Sequence, residues 1–320
     1  MAIQGKSLLR RNVNRARRSK YIFCVTMAAI PVLQFILMYL GARIQSFTLA
    51  FQHYENSASG IGYDITFAGF DNFVKAFERL KLQSSALENS MILFGFTTFI
   101  GTTLALVFSF YIYKKYAGSG IFKTVLFMPQ VISSLIFAVI FKYLVNEGYS
   151  YIMEEISGEK VTGLLNDPDT RFGMLIFFNI WISFGVNVLL YSGAMSGINE
   201  SVVESARLDG VNIVQEFIHI TLPLIYPTIV TFIVINISGI FTNAYAVLDL
   251  FGIHSVEVNN MGSWLYTKAE AAQKGRIWAE EYRQVNYSVL SAIGLILTAI
   301  VFPIVLIVKR LLEKYGPRVD

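Results

Sequence analysis

Two sets of residues in this 320-residue chain have the types and spacing to act together. The first is Glu204, Ala206, Asp209 and Gly210, followed about nine residues on by Ile220, Leu222 and Pro223, the pattern E-x-A-x-x-D-G then I-x-L-P. Two carboxylates, a small residue and a turn-making glycine at this spacing suit a short, rigid docking knob rather than a bond-breaking centre. The second set is amide, hydroxyl and aromatic. Asn179, Trp181, Ser183, Asn187 and Tyr191 lie in one apolar run, and Asn236, Ser238, Thr242, Asn243 and Tyr245 in another. Amides hydrogen-bond hydroxyls in both directions, and aromatic faces pack on sugar C–H surfaces. The same groups also tie membrane helices to one another, which for any single residue is the commoner role.

Other chemistry is missing. His53, His219 and His254 are scattered with no metal-ligand spacing. Ala117–Thr124, AGSGIFKT, falls short of a phosphate-binding loop, because Phe122 stands where the glycine before Lys123 is required and the run opens an apolar segment. There is no G-x-S-x-G nucleophile elbow. Cys24 is the only cysteine, so neither an intramolecular disulfide nor a thiolate metal cluster is available. The expectation is a non-enzyme with no catalytic and no metal-binding residues, whose energy comes from a partner.

The elements that must position these residues are membrane helices. Hydrophobic residues make up 54% of the chain, charged residues only 15%, and mean hydropathy is +0.54, too apolar for an ordinary soluble domain. Apolar runs long enough to span a bilayer recur near 21–40, 89–113, 124–144, 172–195, 222–248 and 287–308. The expected fold is all-α and integral to the membrane, with six transmembrane helices. A basic tail over 1–20 precedes a membrane-spanning region over 21–310, and 311–320 forms a second tail. The net charge of +4 does not imply nucleic acid, because the basic residues flank apolar runs and anchor them at an anionic lipid surface. The N-terminal cluster and the alternation of spans put both termini and the loop 196–221 on the cytoplasmic side.

Local signals shape that loop. Ser201 and Glu204 have capping-box spacing, so a helix is expected from Ser201. Gly210 stands where a left-handed residue would close it. A second helical stretch over 211–220 follows, before Pro223 and Pro227 punctuate the start of the fifth span. The spans carry almost no ionisable side chains, with Lys142 and Asp249 only at ends. That weighs against an ion-coupled carrier and for a neutral solute.

The loop resembles the cytoplasmic EAA loop of binding-protein-dependent ABC importer permeases, the type I sugar-permease family that includes the maltose permease. Phe67–Phe73 (FAGFDNF), Met128–Leu144 (MPQVISSLIFAVIFKYL), the run NIWISFGVNVLLYSGAMSGINESVVESARLDG and Tyr287–Leu295 (YSVLSAIGL) are similar to further segments of that family. Ser205 replaces the usual second alanine. The resemblance implies a type I importer transmembrane domain with Glu204, Ala206, Asp209 and Gly210 coupling to an ATPase, and it points to Asn179, Ser183 and Asn243 as solute contacts. It further implies a second related permease, a cytoplasmic ABC ATPase dimer that holds the ATP and Mg, and an extracytoplasmic solute-binding protein delivering a carbohydrate. No cofactor is expected in this chain. A non-sugar solute, or a membrane scaffold or channel that does not transport, stays open at this point.

Overall fold

The computed structural model describes residues 19–56, 63–253, 258–273 and 287–317. The expected tail over 1–20, all but its last two residues, lies outside them, as does His254. Among the described residues, five helices are long and apolar enough to cross a membrane, or six if one sharply bent pair counts as a single span. The chain divides into two compact units, one of residues 1–76 with 287–295, the other of 77–286 with 296–320.

In the first unit, α1 (Ser19–Leu49) carries a long apolar stretch, and none of its most hydrophobic window is buried within the chain. Its six-residue π turn, Phe35–Leu40, lies wholly within the apolar stretch. An antiparallel hairpin follows, β1 (Gln52–Asn56) against β2 (Tyr63–Phe67), with Gln52 opposite Phe67 and Asn56 opposite Tyr63. This hairpin is an addition to the all-α expectation. The FAGFDNF segment turns at Gly69, whose φ of +53° suits glycine, and opens α2 (Asp71–Leu82). Asn72 is fully buried and its Nδ2 donates to the carbonyls of Ala50 and Gln52, tying α2 to the chain leaving α1.

The second unit is built on α3 (Ser84–Tyr113) packed along α6 (Arg171–Ser196). Gly101, Ala105 and Ser109 recur every fourth residue and are buried, so the two backbones approach closely. Ser109 Oγ donates to Val188 O at 2.9 Å across that seam. Gly185 serves the same end on α6, because a Cβ there would run into the backbone carbonyl of Leu126 in α4 (Ser119–Val131). Two apolar cores form. One gathers Leu93, Phe137, Phe141, Leu175, Phe178 and Leu250; the other gathers Ala105, Phe110, Val188, Tyr191, Met195 and Ile225.

Two expected spans are not simple helices. The run 124–144 breaks after Val131, and α4 meets α5 (Ser134–Ser157) at 96°. Pro129 lacks the N–H that would bond back one turn, and Ser133, extended at ψ 134°, starts the next helix instead. The run 222–248 also breaks. Its helix, α8 (Ile213–Ser238), begins nine residues earlier than expected and ends at Gly239. Pro223 and Pro227, at the start of the expected span, lie well inside the longer α8. A π turn, Phe217–Thr221, covers His219, the residue whose carbonyl a proline at 223 cannot bond. After Gly239 the chain is irregular until α9 (Val247–Phe251), and α10 (Met261–Gln273) and α11 (Tyr287–Tyr315) follow.

Candidate functional site

The E-x-A-x-x-D-G segment forms α7 (Glu200–Leu208). Its N-terminus is capped by Asn199, whose side chain accepts from Ser201 N at 3.1 Å, so the helix starts one residue before Ser201 and the expected Ser201–Glu204 box is not the cap. Asn199 caps because it sits two positions earlier with an extended backbone, φ −63° and ψ 123°. The capping box belongs to the next turn, where Asn212 and Gln215 bond each other's backbones. Gly210 does close α7. At φ +80° its N–H donates to Arg207 O, and Val211 N–H to Ala206 O, both at 3.1 Å, which is the full Schellman pair.

Val203 and Ala206 are the buried face of α7, whereas Glu204, Arg207 and Asp209 are exposed. Leu208 is 89% exposed, and Ile213, Val214 and Ile218 continue an uncovered apolar surface. α7 is thus capped and tightly closed, with exposed carboxylates beside the exposed Leu208.

The predicted polar residues converge elsewhere. Asn179, Ser183 and Asn243 all line one cavity of about 620 Å³ between α3, α6, the end of α8 and the irregular segment after it. Asn187, Asn236, Ser238, Thr242 and Tyr245, also anticipated, lie on its wall, joined by Thr97 and Asp249. Trp181 and Tyr191 do not. Trp181 stacks among Phe137, Phe141 and Phe177, and Tyr191 is buried against Phe232.

The three named residues offer different amounts of free chemistry. Asn179 Nδ2 donates to Leu175 O and Tyr245 O, so its carbonyl oxygen is what remains for a ligand. Ser183 Oγ donates down its own helix to Asn179 O and keeps its lone pairs. Asn243 is exposed to the cavity; its Oδ1 accepts Tyr245 N–H, and its backbone carbonyl accepts Asn260 Nδ2. Tyr245 and Ala246 are both left-handed, at φ 48° and 54°, a strained pair that these asparagine contacts hold in place. Gly262 lies so close that a Cβ would strike the carbonyls of Asn243 and Thr242.

The fold agrees with the comparisons. The profile of the family described as "Binding-protein-dependent transport system inner membrane component" matches residues 97–320. The chain belongs to that family. Members are transport components rather than enzymes, and this one is a multi-pass membrane chain. It is 29% identical over 238 residues to the "Probable ABC transporter permease protein YurN" of Bacillus subtilis (strain 168), covering 72% of this chain and 77% of YurN. It is 27% identical over 198 residues to "sn-glycerol-3-phosphate transport system permease protein UgpA" of Shigella dysenteriae, over 60% of this chain, and spans 65% of that relative's length. A crystal structure of a bacterial ABC transporter involved in the import of the acidic polysaccharide alginate matches with TM-score 0.72 and 22% identity, over 93% of this chain and 98% of that one. The related complex with an alginate pentasaccharide-bound periplasmic protein matches at TM-score 0.68 and 21% identity, over 91% and 94% of the two chains. The shared fold is the type I permease fold.

Two residues of this family member escaped the sequence reading. Asp249 was placed at a span end, but the early termination of α8 carries it to the cavity wall. Glu216 is 3% exposed and binds Lys114 Nζ through both carboxylate oxygens at 2.6 and 2.8 Å. The partners are 102 positions apart, and only a lone carboxylate just ahead of an apolar run hinted at a buried charge.

Proposed function

We propose that this chain is one of two membrane subunits of an ATP-driven, binding-protein-dependent importer, and that its solute is a neutral carbohydrate, an oligosaccharide by size. The observation that carries the solute class is the polar lining of the 620 Å³ cavity, which is mostly amide and hydroxyl, with no lysine or arginine among the described residues and with Asp249 as its one carboxylate. An acidic saccharide or a phosphate ester entering it would meet a carboxylate and no counter-charge from this chain. A neutral sugar finds donors and acceptors in Asn236, Thr242 and Asn243, with the free acceptors of Asn179 and Ser183 beside them.

In this reading α7 is the cytoplasmic coupling helix. Glu204 and Asp209 offer carboxylates to a partner ATPase, Ala206 keeps the helix seated close to its own subunit, and Gly210 makes the turn that fixes its angle. A second related permease completes the pathway. A pair of ATPase subunits binds ATP and Mg, and an extracytoplasmic binding protein delivers the sugar. Both termini are cytoplasmic, and the tail over 1–20 faces anionic lipid. The similar alginate structures are of an ABC transporter and of its complex with a periplasmic protein, which supports the same kind of assembly.

The test is uptake by the complex reconstituted in proteoliposomes with its binding protein, comparing neutral oligosaccharides with uronate-containing ones of equal length. Uptake of the neutral series alone supports the assignment. Preferential uptake of the uronates would move the solute class to acidic saccharides, and the missing counter-charge would then have to come from the second permease.

A further inference from the structure

We propose that Lys114 and Glu216 form a buried strut that fastens the root of the coupling loop to the cytoplasmic end of α3, making α3 a second lever between the loop and the cavity. The inference rests on the importer reading above and adds to it a route by which loop movement reaches the solute site.

The geometry is specific. The side chains are 8% and 4% exposed, and one ammonium engages both carboxylate oxygens. Two charges removed from water and matched to each other separate far less readily than an exposed pair. The contact is doubled by an apolar one between the same elements, where the rings of Phe110 and Phe217 lie 4.9 Å apart at centroid, and Lys114 Nζ sits 5.7 Å from the Phe110 ring. On the loop side, the Asn212–Gln215 capping box fixes the turn that carries Glu216. Arg207 of α7 approaches the carboxylate at 3.9 Å, so the docking helix itself touches the strut.

On the other side, Lys114 caps the end of α3, and the same helix carries Thr97 on the cavity wall. At a rise of about 1.5 Å per residue, roughly 24 Å of continuous helix separates the two. Covalent continuity already links the loop to α8. Without the strut, α3 would be held to the loop by apolar contact alone, which slides more easily than a desolvated ion pair. With it, a displacement of α7 moves α3 and α8 together, and both bear on Thr97, Asn236 and Asn243 in the same cavity.

The experiment measures solute imported per ATP hydrolysed in proteoliposomes, for the complex carrying Lys114→Met, Glu216→Gln, the reversed pair Lys114→Glu/Glu216→Lys, and the apolar pair Lys114→Met/Glu216→Leu. Co-purification of the ATPase is scored in parallel. The strut predicts that each single variant retains the ATPase, since neither residue faces it, yet falls about tenfold in import per ATP, in the range of ordinary coupling energies. It predicts recovery in the reversed pair. Single variants that keep the wild-type ratio, with only the amount of complex reduced, would overturn it, because a merely structural bridge changes yield and not stoichiometry. The apolar pair leaves no unmatched buried charge and keeps the test decisive where a single variant does not accumulate. A lowered ratio in it supports the strut, and a wild-type ratio overturns it. A wild-type complex whose ATP hydrolysis ignores loaded binding protein would instead remove the importer reading, and the strut with it.

Discussion

Asn179 Nδ2 donates to the backbone carbonyl of Tyr245 at 2.7 Å, joining residues 66 positions apart, and so fixes the wall of the polar cavity to α6. The carbonyl it serves belongs to a left-handed tyrosine that is 8% exposed. Replacing Asn179 by Leu leaves that carbonyl without its donor, at about 1–3 kcal/mol. The expected outcome is a lowered midpoint in thermal unfolding of the detergent-solubilised chain, together with reduced import. Asn179→Asp keeps the acceptor and loses the donor, and it should resemble the leucine variant in stability.

Gly262 allows α10 to approach the Asn243 carbonyl. Gly262→Ala forces backbone apart at the cavity wall and should depress both stability and import, whereas Gly173→Ala, with open space around its Cβ, should be neutral or slightly stabilising. Side-by-side thermal melts and uptake assays separate the two. Equal behaviour of the pair would contradict the packing described at Asn243.

Asp249 tests the solute class. Asp249→Asn should leave uptake of a neutral sugar within a few-fold of wild type, since an amide keeps the hydrogen-bonding capacity that a hydroxyl ligand uses. Asp249→Lys supplies the counter-charge the wall lacks. If the natural solute were acidic, that variant would import it faster than wild type, and competition by uronates would rise.

Asp71 has its carboxyl held below 3.8, chiefly by the hydrogen bond from Lys75 at 2.8 Å, against a smaller opposing desolvation, with His53 adding a further bond at 3.0 Å. A depressed folded-state pKa contributes stability above the unfolded value, and the contribution is lost as pH falls through the folded one. Asp71→Asn should therefore destabilise the start of α2 at neutral pH, and the difference from wild type should shrink below pH 3.8. Amide hydrogen exchange at Phe73 and Val74 across that range reads it. The site is exposed, so the effect is small.

The apolar lengths, the left-handed close of α7 and the gathering of most of the polar residues at one cavity were legible because each rests on local pattern. Apolar length marks a span, Gly210 marks a left-handed close, and amides in apolar runs mark a lined interior. What could not be read depends on distant partners. The run 222–248 is apolar enough to cross as one helix, yet it stops at Gly239 because Asn179 and Asn260, far off in sequence, hold the following backbone in another conformation. Asn199, two positions ahead of Ser201 and with an extended backbone, is the cap instead. The burial of Glu216 depends on Lys114, 102 positions away in the sequence.

The most direct measurement is ATP hydrolysis by the purified complex in lipid, with and without loaded binding protein, for wild type, Glu204→Lys and Gly210→Pro. Gly210→Pro removes the N–H that bonds Arg207 and the left-handed turn together. The account predicts stimulation in wild type, its loss in both variants, and loss of ATPase co-purification with them. Full stimulation and full association in both variants would contradict the assignment of α7 as the coupling element.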